Sequence, residues 1–167
     1  IELKKNFNIY ILNTGQHDEL LRDILKYFNL KLYKNLNLMK KNQNAEQLIS
    51  SIVSNVSPIL KKINPNLIIV HGDTSSSLAL ALASSYCKIK IAHIEAGLRT
   101  HIKNEPFPEE INRKTITSLA DFHFAPTIQA KKNLINEGIR KNIYVTGNTI
   151  VDAVKVITSI SNENDIK

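Results

Sequence analysis

Two short histidine–carboxylate pairs, His71-x-Asp73 and His93-x-Glu95, have the residue types and spacing best suited to chemistry in this sequence. On an extended segment, residues i and i+2 point to the same side, so each pair brings an imidazole close to a carboxylate. One interpretation is a metal site, because histidine and carboxylate are good ligands for zinc or manganese. Another is acid–base catalysis by the carboxylates, with each histidine pointing into the core. A third is that the histidines are simply buried and hydrogen-bonded.

Both pairs follow predicted strands. Residues 67–70 and 89–94 are short apolar runs typical of buried strands, and residues 75–86 between them have helical spacing. Ligands bind beyond the carboxyl ends of the strands in open parallel α/β sheets. We therefore expect Asp73 and Glu95, which are 22 residues apart, to lie close together where chemistry occurs.

Glu109 is a third candidate carboxylate. It follows Pro108 at the start of a predicted helix, where an acidic residue often interacts only with the helix dipole or caps the helix. The loop before it begins near Glu95 and could fold back over the same crevice. Three carboxylates around one pocket would repel each other and raise the pKa of at least one, as a general acid or base requires.

The predicted helix after Asp73 opens with Thr74 and three serines. Free N–H groups at a helix start bind phosphate, and a hydroxyl side chain there also caps the helix, so the two roles are compatible. The sequence has neither a GxGxxG nor a Walker motif, which removes support for a nicotinamide cofactor or a P-loop.

The remaining pattern predicts alternating strands and helices. Strands are expected at residues 7–12, 30–38, 121–125 and 143–145, and helices at 19–28, 45–63, 108–119, 126–137 and 150–160. Pro58 is expected to kink or interrupt the second helix. This order predicts an α/β fold, a Rossmann-like parallel sheet with helices on both faces.

Composition narrows the function classes. The 167 residues are 43% hydrophobic, and no apolar run approaches the ~20 residues that cross a bilayer. The single cysteine excludes a disulfide framework, so we expect a cytoplasmic protein without membrane association. The net charge is +7, but 18 of the 22 basic residues are lysines scattered along the chain, which does not favour nucleic-acid binding.

Five motifs in order resemble the non-hydrolysing UDP-N-acetylglucosamine 2-epimerases. The six-residue element that begins at Pro108 favours this branch over the related hydrolysing enzymes. The motifs are His71-Gly72-Asp73-Thr74, His93-Ile94-Glu95-Ala96-Gly97-Leu98-Arg99-Thr100, Pro108-Glu109-Glu110-x-Asn112-Arg113, His123-Phe124-Ala125-Pro126-Thr127 and Val145-Thr146-Gly147-Asn148-Thr149.

The resemblance implies interconversion of UDP-N-acetylglucosamine and UDP-N-acetylmannosamine by elimination and re-addition of UDP, without a cofactor or metal. It assigns the catalytic carboxylates to Asp73, Glu95 and Glu109, and substrate contacts to Asp73, Glu95 and Arg113. Arg99 would have a structural or anion-binding role. Gln16 and His17 match a turn that forms a regulatory site in bacterial members.

The resemblance also implies a domain organisation. Family members have two Rossmann-like domains in the glycosyltransferase-B arrangement and are usually dimers. Residues 1–167 would form a partial N-terminal domain, without the first strand and helix and without the C-terminal domain, and we expect it to be inactive alone. Two other interpretations stay open: an inactive remnant or partner-binding subunit, and a metal-dependent hydrolase that uses His71, Asp73, His93 and Glu95.

Overall fold

The computed structural model describes residues 2–15, 18–40 and 42–164 of the chain. After a short 3-10 turn, Glu2–Lys5, strands and helices alternate as predicted. The strands are β1 (Leu12–Asn13), β2 (Lys34–Asn35), β3 (Leu67–His71), β4 (Lys90–Ile94), β5 (Phe122–Ala125) and β6 (Ile143–Val145). The helices are α1 (Asp18–Tyr27), α2 (Ala45–Ile63), α3 (Ser75–Tyr86), α4 (Glu109–Leu119), α5 (Ile128–Asn136) and α6 (Thr149–Asn164).

The strands form two parallel sheets. The larger has the order β3-β4-β5-β6, so each strand pairs with the next one in the chain, and a helix makes each connection. The smaller contains only β1 and β2. The α/β class with parallel strands and a Rossmann-like architecture is confirmed.

The core lies between the large sheet and the helices packed against it. One cluster joins α2 to α3 through Leu48, Ile52, Val56, Leu60, Ala79 and Ala83. A second joins the sheet to α3 and α4 through Val70, Leu78, Ala81, Ile91 and Ile116. Each large apolar side chain removed from water in this way stabilises the fold by about 1.5–3 kcal/mol.

Helix α2 has clear signals at both ends. Asn44 and Gln47 form a reciprocal capping box at its start, and Asn64 ends it in the left-handed region with φ 49°. Of the two effects predicted for Pro58, an interruption of the helix is wrong, because the helix runs unbroken from Ala45 to Ile63. Proline removes one backbone donor, whereas the neighbouring Val56, Ile59 and Leu60 are buried and hold the turn in place.

The strand predicted at residues 7–12 is much shorter in the structure. Only Leu12–Asn13 pairs, with Lys34–Asn35, while Phe7 and Tyr10 are 63% and 51% exposed. A strand requires a hydrogen-bonding neighbour as well as apolar residues, and the described part of the chain gives residues 7–10 none.

An apolar slot separates the two sheets. A cavity of about 280 Å³ lies between the carboxyl ends of β1 and β3, lined in part by Asn13, Thr14 and His71. A second cavity of about 320 Å³ lies between their amino ends, lined in part by Asn8 and Leu67. The carboxyl ends of β1 and β3 line one cavity and their amino ends line the other. The two strands therefore run in the same direction on opposite sides of the slot.

No helix in the described ranges is both long enough and apolar enough to cross a bilayer.

Candidate active site

The candidate site lies at the carboxyl edge of the large sheet, where β3 and β4 end. The backbone N–H of Gly72 donates to the carbonyl of Ile94 at 3.0 Å, which holds the two strand ends together. Gly72 and Glu95 both have positive φ, 67° and 64°, so both turns leave the strands sharply. A side-chain carbon on Gly72 would lie 3.4 Å from Oε2 of Glu95. The turn that carries Asp73 therefore lies against the Glu95 carboxylate.

The two histidines have different environments. His93 is fully buried and its Nε2 lies 2.8 Å from the carbonyl of Gly72. Burial lowers the pKa of His93 to about 4, so the ring is neutral near pH 7. The side chain of His71 is 54% exposed and its Nε2 lies 3.3 Å from Oε2 of Glu95. The interpretation of buried, hydrogen-bonded histidines therefore holds for His93 and is wrong for His71.

The metal interpretation required both histidines and both carboxylates to converge. Within the described ranges, no three His, Cys, Asp or Glu side chains are grouped as a metal-binding set. The Nε2 of His93 is occupied by a backbone carbonyl, which separates this ring from the other three groups. The geometry therefore gives the metal-dependent hydrolase no support.

Asp73 is held by helix α4. Its carboxylate accepts a hydrogen bond from Nη2 of Arg113 and forms an ion pair with it. Its backbone carbonyl accepts a second bond, from Nδ2 of Asn112 at 2.8 Å. The side chains of Asp73 and Arg113 are 26% and 12% exposed, so the pair is partly shielded from water yet borders the open edge.

Glu110 supports this arrangement from inside. It is fully buried, its Oε2 lies 3.3 Å from Nη1 of Arg113, and its Oε1 lies 3.7 Å from Nζ of Lys114. It also accepts the backbone N–H groups of Thr100 and His101 at 3.2 and 3.3 Å. Glu110 therefore connects α4 to the loop that follows β4.

Sequence reasoning did not select Glu110, although a signal was present. An acidic residue three and four positions before two basic residues predicts ion pairs on one helix face. Asn112 was also missed, and its polar side chain gave no comparable signal.

Glu109 is the first residue of α4 and is half-buried. The N-cap position is occupied by Pro108, and no side chain caps this helix end by a hydrogen bond. In the described part of the chain, Glu109 has no side-chain hydrogen bond or ion pair. It precedes Arg113 by four residues, so both lie on the same helix face. Glu109 is therefore a carboxylate without a structural partner, placed on the face that contacts Asp73.

Glu95 is held at both carboxylate oxygens. Nδ2 of Asn148, in the loop after β6, donates to Oε1 at 2.9 Å, and His71 lies against Oε2. The predicted proximity of Asp73 and Glu95 thus has a structural basis in three loops that meet at one edge, those after β3, β4 and β6.

Arg99 has a structural environment. Its side chain is fully buried and donates to both oxygens of Glu137 at 2.7 and 2.6 Å, to Thr117 at 2.9 Å and to the carbonyl of Leu98 at 2.7 Å. The hydrogen bonds from Arg99 lower the pKa of Glu137. Because the guanidinium is engaged on every side, the geometry favours the structural role over anion binding.

The start of α3 is capped by its own hydroxyls. The backbone N–H of Ser77 donates to Oγ1 of Thr74 at 3.2 Å, and the Ser77 hydroxyl donates to the carbonyl of His71 at 2.6 Å. These bonds show the capping role expected for Thr74. Gln16 and His17, expected to be regulatory, lie outside the described residues.

Comparison with known proteins places this geometry in context. The family model described as UDP-N-acetylglucosamine 2-epimerase matches residues 1–167. A curated UDP-N-acetylglucosamine 2-epimerase of Campylobacter jejuni is 41% identical in an alignment that spans 182 residues and covers 99% of this chain and 48% of that protein. One from Salmonella borreze is 46% identical over 159 residues, which cover 93% of this chain and 42% of that protein.

Solved structures give the same result. The crystal structure of UDP-GlcNAc 2-epimerase from Neisseria meningitidis bound to UDP-GlcNAc superposes with a TM-score of 0.90 at 40% identity, covering 97% of this chain and 46% of that one. The Methanocaldococcus jannaschii enzyme in complex with UDP-GlcNAc and UDP gives a TM-score of 0.89 at 37% identity, covering 96% and 44%. The chain therefore spans less than half the length of these relatives.

Proposed function

Because this chain belongs to the UDP-N-acetylglucosamine 2-epimerase family, we propose that the complete protein interconverts UDP-N-acetylglucosamine and UDP-N-acetylmannosamine. By the complete protein we mean this chain together with the remaining length that its relatives have. The solved relatives that are bound to UDP-GlcNAc support the substrate class.

The observation that carries the proposal is the set of three carboxylates at one sheet edge. In the reaction, one carboxylate removes the proton from sugar C2. The electrons of that C–H bond form a C1–C2 double bond, the C1–O bond breaks, and its electrons leave with UDP. UDP then adds back to the 2-acetamidoglucal and a proton returns to C2 on the opposite face. Carboxylates on both sides of the ring suit this pair of proton transfers.

We assign proton transfer or transition-state stabilisation to Asp73, Glu95 and Glu109, and substrate contact to Asp73, Glu95 and Arg113. Arg113 supports the assignment because its ion pair holds the Asp73 carboxylate in place at the open edge. Glu109 supports it because its carboxylate makes no hydrogen bond or ion pair within the described residues.

The test uses the complete protein with Asp73→Asn, Glu95→Gln and Glu109→Gln. Each change keeps the shape of the side chain but removes its ability to accept a proton, so we expect kcat to fall by roughly 10²-fold or more. Conversion of the UDP-sugars and exchange of the C2 hydrogen with D₂O are measured together. Glu105→Gln is the matched control, because Glu105 is an exposed residue in the loop before α4.

Two outcomes would contradict the proposal. No conversion by the complete wild-type protein would remove the epimerase function and favour an inactive remnant or partner-binding subunit. Near-normal kcat with a lowered melting temperature for Glu109→Gln alone would return that residue to a purely structural role at the helix start.

We also infer that residues 1–167 form a partial N-terminal domain, and that an extended segment of the complete protein fills the slot between β1 and β3. Strand β3 is the edge of the large sheet, with Leu67 and Ile69 40% and 41% exposed, and β1 pairs on one side only within the described residues. A strand in the slot would pair with both and join the two sheets.

Hydrogen exchange tests this arrangement. Backbone amides of β1 and β3 should exchange slowly in the complete protein and at least 10-fold faster in the isolated 167-residue chain, which we expect to be marginally stable and inactive. Equal protection in the two samples would show that the slot has no such occupant.

Three finer proposals complete the assignment. The family resemblance and the composition together support a cytoplasmic homodimer, the scattered lysines support a protein that does not bind nucleic acid, and the resemblance supports a regulatory UDP-N-acetylglucosamine site that includes Gln16 and His17. Light scattering tests the dimer, and DNA binding at low salt tests the second claim. Substrate-dependence curves for Gln16→Ala and His17→Ala test the third, where loss of sigmoidal kinetics is expected.

A further inference from the structure

The backbone at Glu95 has an uncommon conformation. Its φ of 64° lies in the left-handed region, which residues other than glycine adopt rarely and mostly when the surroundings compensate. This conformation turns the chain away from β4 directly after Ile94, the last residue of β4 that pairs with β3 and β5. The Glu95 side chain, 26% exposed, projects from this turn and contacts two other loops.

The first contact is with Asn148, and its direction is fixed by a local turn. Oδ1 of Asn148 accepts the backbone N–H of Ile150 at 3.0 Å, which occupies the oxygen end of the amide. Only the NH₂ end can then face Glu95, and it lies 2.9 Å from Oε1. Rotating the amide by 180° would lose both bonds, so Asn148 presents a donor to this carboxylate.

The second contact is with His71, whose Nε2 lies 3.3 Å from Oε2. The His71 side chain is 54% exposed, so it contributes little to the core. Glu95 therefore has a hydrogen bond at Oε1 and a histidine ring beside Oε2.

We propose that His71 and Asn148 are positioning residues that orient the Glu95 carboxylate for proton transfer. The inference rests on the proposed function of Glu95 and extends it to two residues with no assigned role. A carboxylate with neighbours at both oxygens needs little reorganisation when substrate binds, and catalytic groups lose much of their rate when their orientation is lost. These residues should therefore act on kcat more than on KM.

The decisive variants each change one of the two contacts with Glu95 in the complete protein. Asn148→Asp replaces the donor with a repelling carboxylate, and we expect kcat to fall by roughly 10²-fold while KM changes less than about 3-fold. His71→Leu should lower kcat by about 10-fold. His71→Gln keeps a polar nitrogen near the Nε2 position, so kcat should stay within about 3-fold of wild type.

Asn142→Asp is the matched control. Asn142 precedes β6 as Asn148 follows it, and its Nδ2 also donates one hydrogen bond, to the carbonyl of Asp121 at 3.0 Å. It lies at the amino end of the strand, away from the carboxylates. This variant should keep kcat, although its melting temperature can fall as much as that of Asn148→Asp.

A second readout does not depend on activity. In ¹⁵N-labelled protein, the side-chain amide signal of Asn148 should shift in Glu95→Gln and stay unchanged in Glu105→Gln. An unmoved amide signal, or unchanged kcat in Asn148→Asp and His71→Leu, would overturn the positioning role. An inactive wild-type protein with a shifted amide signal would instead overturn the epimerase function and keep the contact.

Discussion

The large and small sheets differ in how completely their carboxyl edges are connected. In the large sheet, backbone hydrogen bonds continue past the strand ends, from Gly72 to Ile94, from Ala96 to Phe124 and from Thr146 to Ala125, at 3.0–3.1 Å. In the small sheet, backbone bonds also pass the end of β2, from Leu36 to Asn13 at 2.8 Å and from Leu38 to Thr14 at 2.9 Å, but within the described residues they join a single pair of strands. The candidate site is built around the end of β4, which pairs with β3 on one side and β5 on the other.

The comparison indicates that the candidate carboxylates depend on the elements that hold them in position. Glu95 is oriented by loops from two other strands, and Asp73 by a helix that is itself anchored through the buried Glu110. The small sheet also has polar residues at its carboxyl end. Asn13 bonds with Asn35 and the backbone of Gly15, and Thr14 contacts Ser76 of α3, so neither residue orients a carboxylate in the described part of the chain.

The largest expected effect comes from the ion pair that anchors the loop after β4. Arg99→Met should lower the free energy of unfolding by about 3–4 kcal/mol, because Glu137 loses the buried guanidinium that binds both its oxygens. Urea unfolding of the complete protein measures the loss. Arg140→Met is the control, since Arg140 is exposed and should cost less than about 0.5 kcal/mol. Equal losses for the two arginines would refute the anchoring role.

Acid should weaken the large sheet next. His93 is neutral when folded, with a pKa of about 4 against an ordinary value of 6.5, so the unfolded chain binds more protons between these values. The contribution of neutral His93 to the free energy of unfolding is fully present above pH 6.5. It is lost as the pH falls toward 4, by up to about 3 kcal/mol. Unfolding measured at pH 7, 5.5 and 4 gives the slope.

A comparison of variants isolates this contribution. His93→Gln cannot titrate and should flatten the pH dependence while lowering stability at pH 7. His101→Gln, at an exposed position, should leave the slope of the wild type. If His93→Gln keeps the full acid sensitivity, another group is responsible, and buried His123, whose pKa burial also lowers, is the first to test.

The smallest effect compares the two sheets directly through two asparagines of equal burial. Asn133, 7% exposed, donates to the carbonyl of Gly97 at 2.9 Å beside the large sheet. Asn13, 8% exposed, donates to Asn35 in the small sheet. Asn133→Ala should cost about 2 kcal/mol because it leaves a buried carbonyl unpaired, and Asn13→Ala about 1 kcal/mol because Asn35 is exposed to water. Thermal unfolding ranks the two, and the reverse order would contradict the comparison.

The same contrast explains what the sequence could predict. Helices α2 and α3 and strand β6 begin and end at the predicted residues, because caps and apolar periodicity are local signals. The strand predicted at residues 7–12 was mostly wrong, since pairing depends on a neighbour that local sequence does not encode. His71 and His93 have the same sequence context, yet one is exposed and one is buried.

The candidate site was predictable in part. Spacing pointed to Asp73 and Glu95, the loop before α4 suggested Glu109, and the resemblance assigned catalysis to all three. The buried ion pairs of Glu110 and the amide of Asn148 depend on how α4 and the loop after β6 approach the edge, which no single segment specifies.

The neighbour order of the large sheet has a consequence for how the chain is made. Strand β4 pairs with β3, β5 with β4 and β6 with β5, so each strand joins an edge that earlier residues have already formed. A ribosome delivers the chain in this same direction, and domains fold as units during synthesis. Each added strand closes only the loop through one helix, which keeps the entropic cost of closure small. Assembly can thus follow translation strand by strand, and the loop that carries Asn148 is the last of the Glu95 partners to emerge.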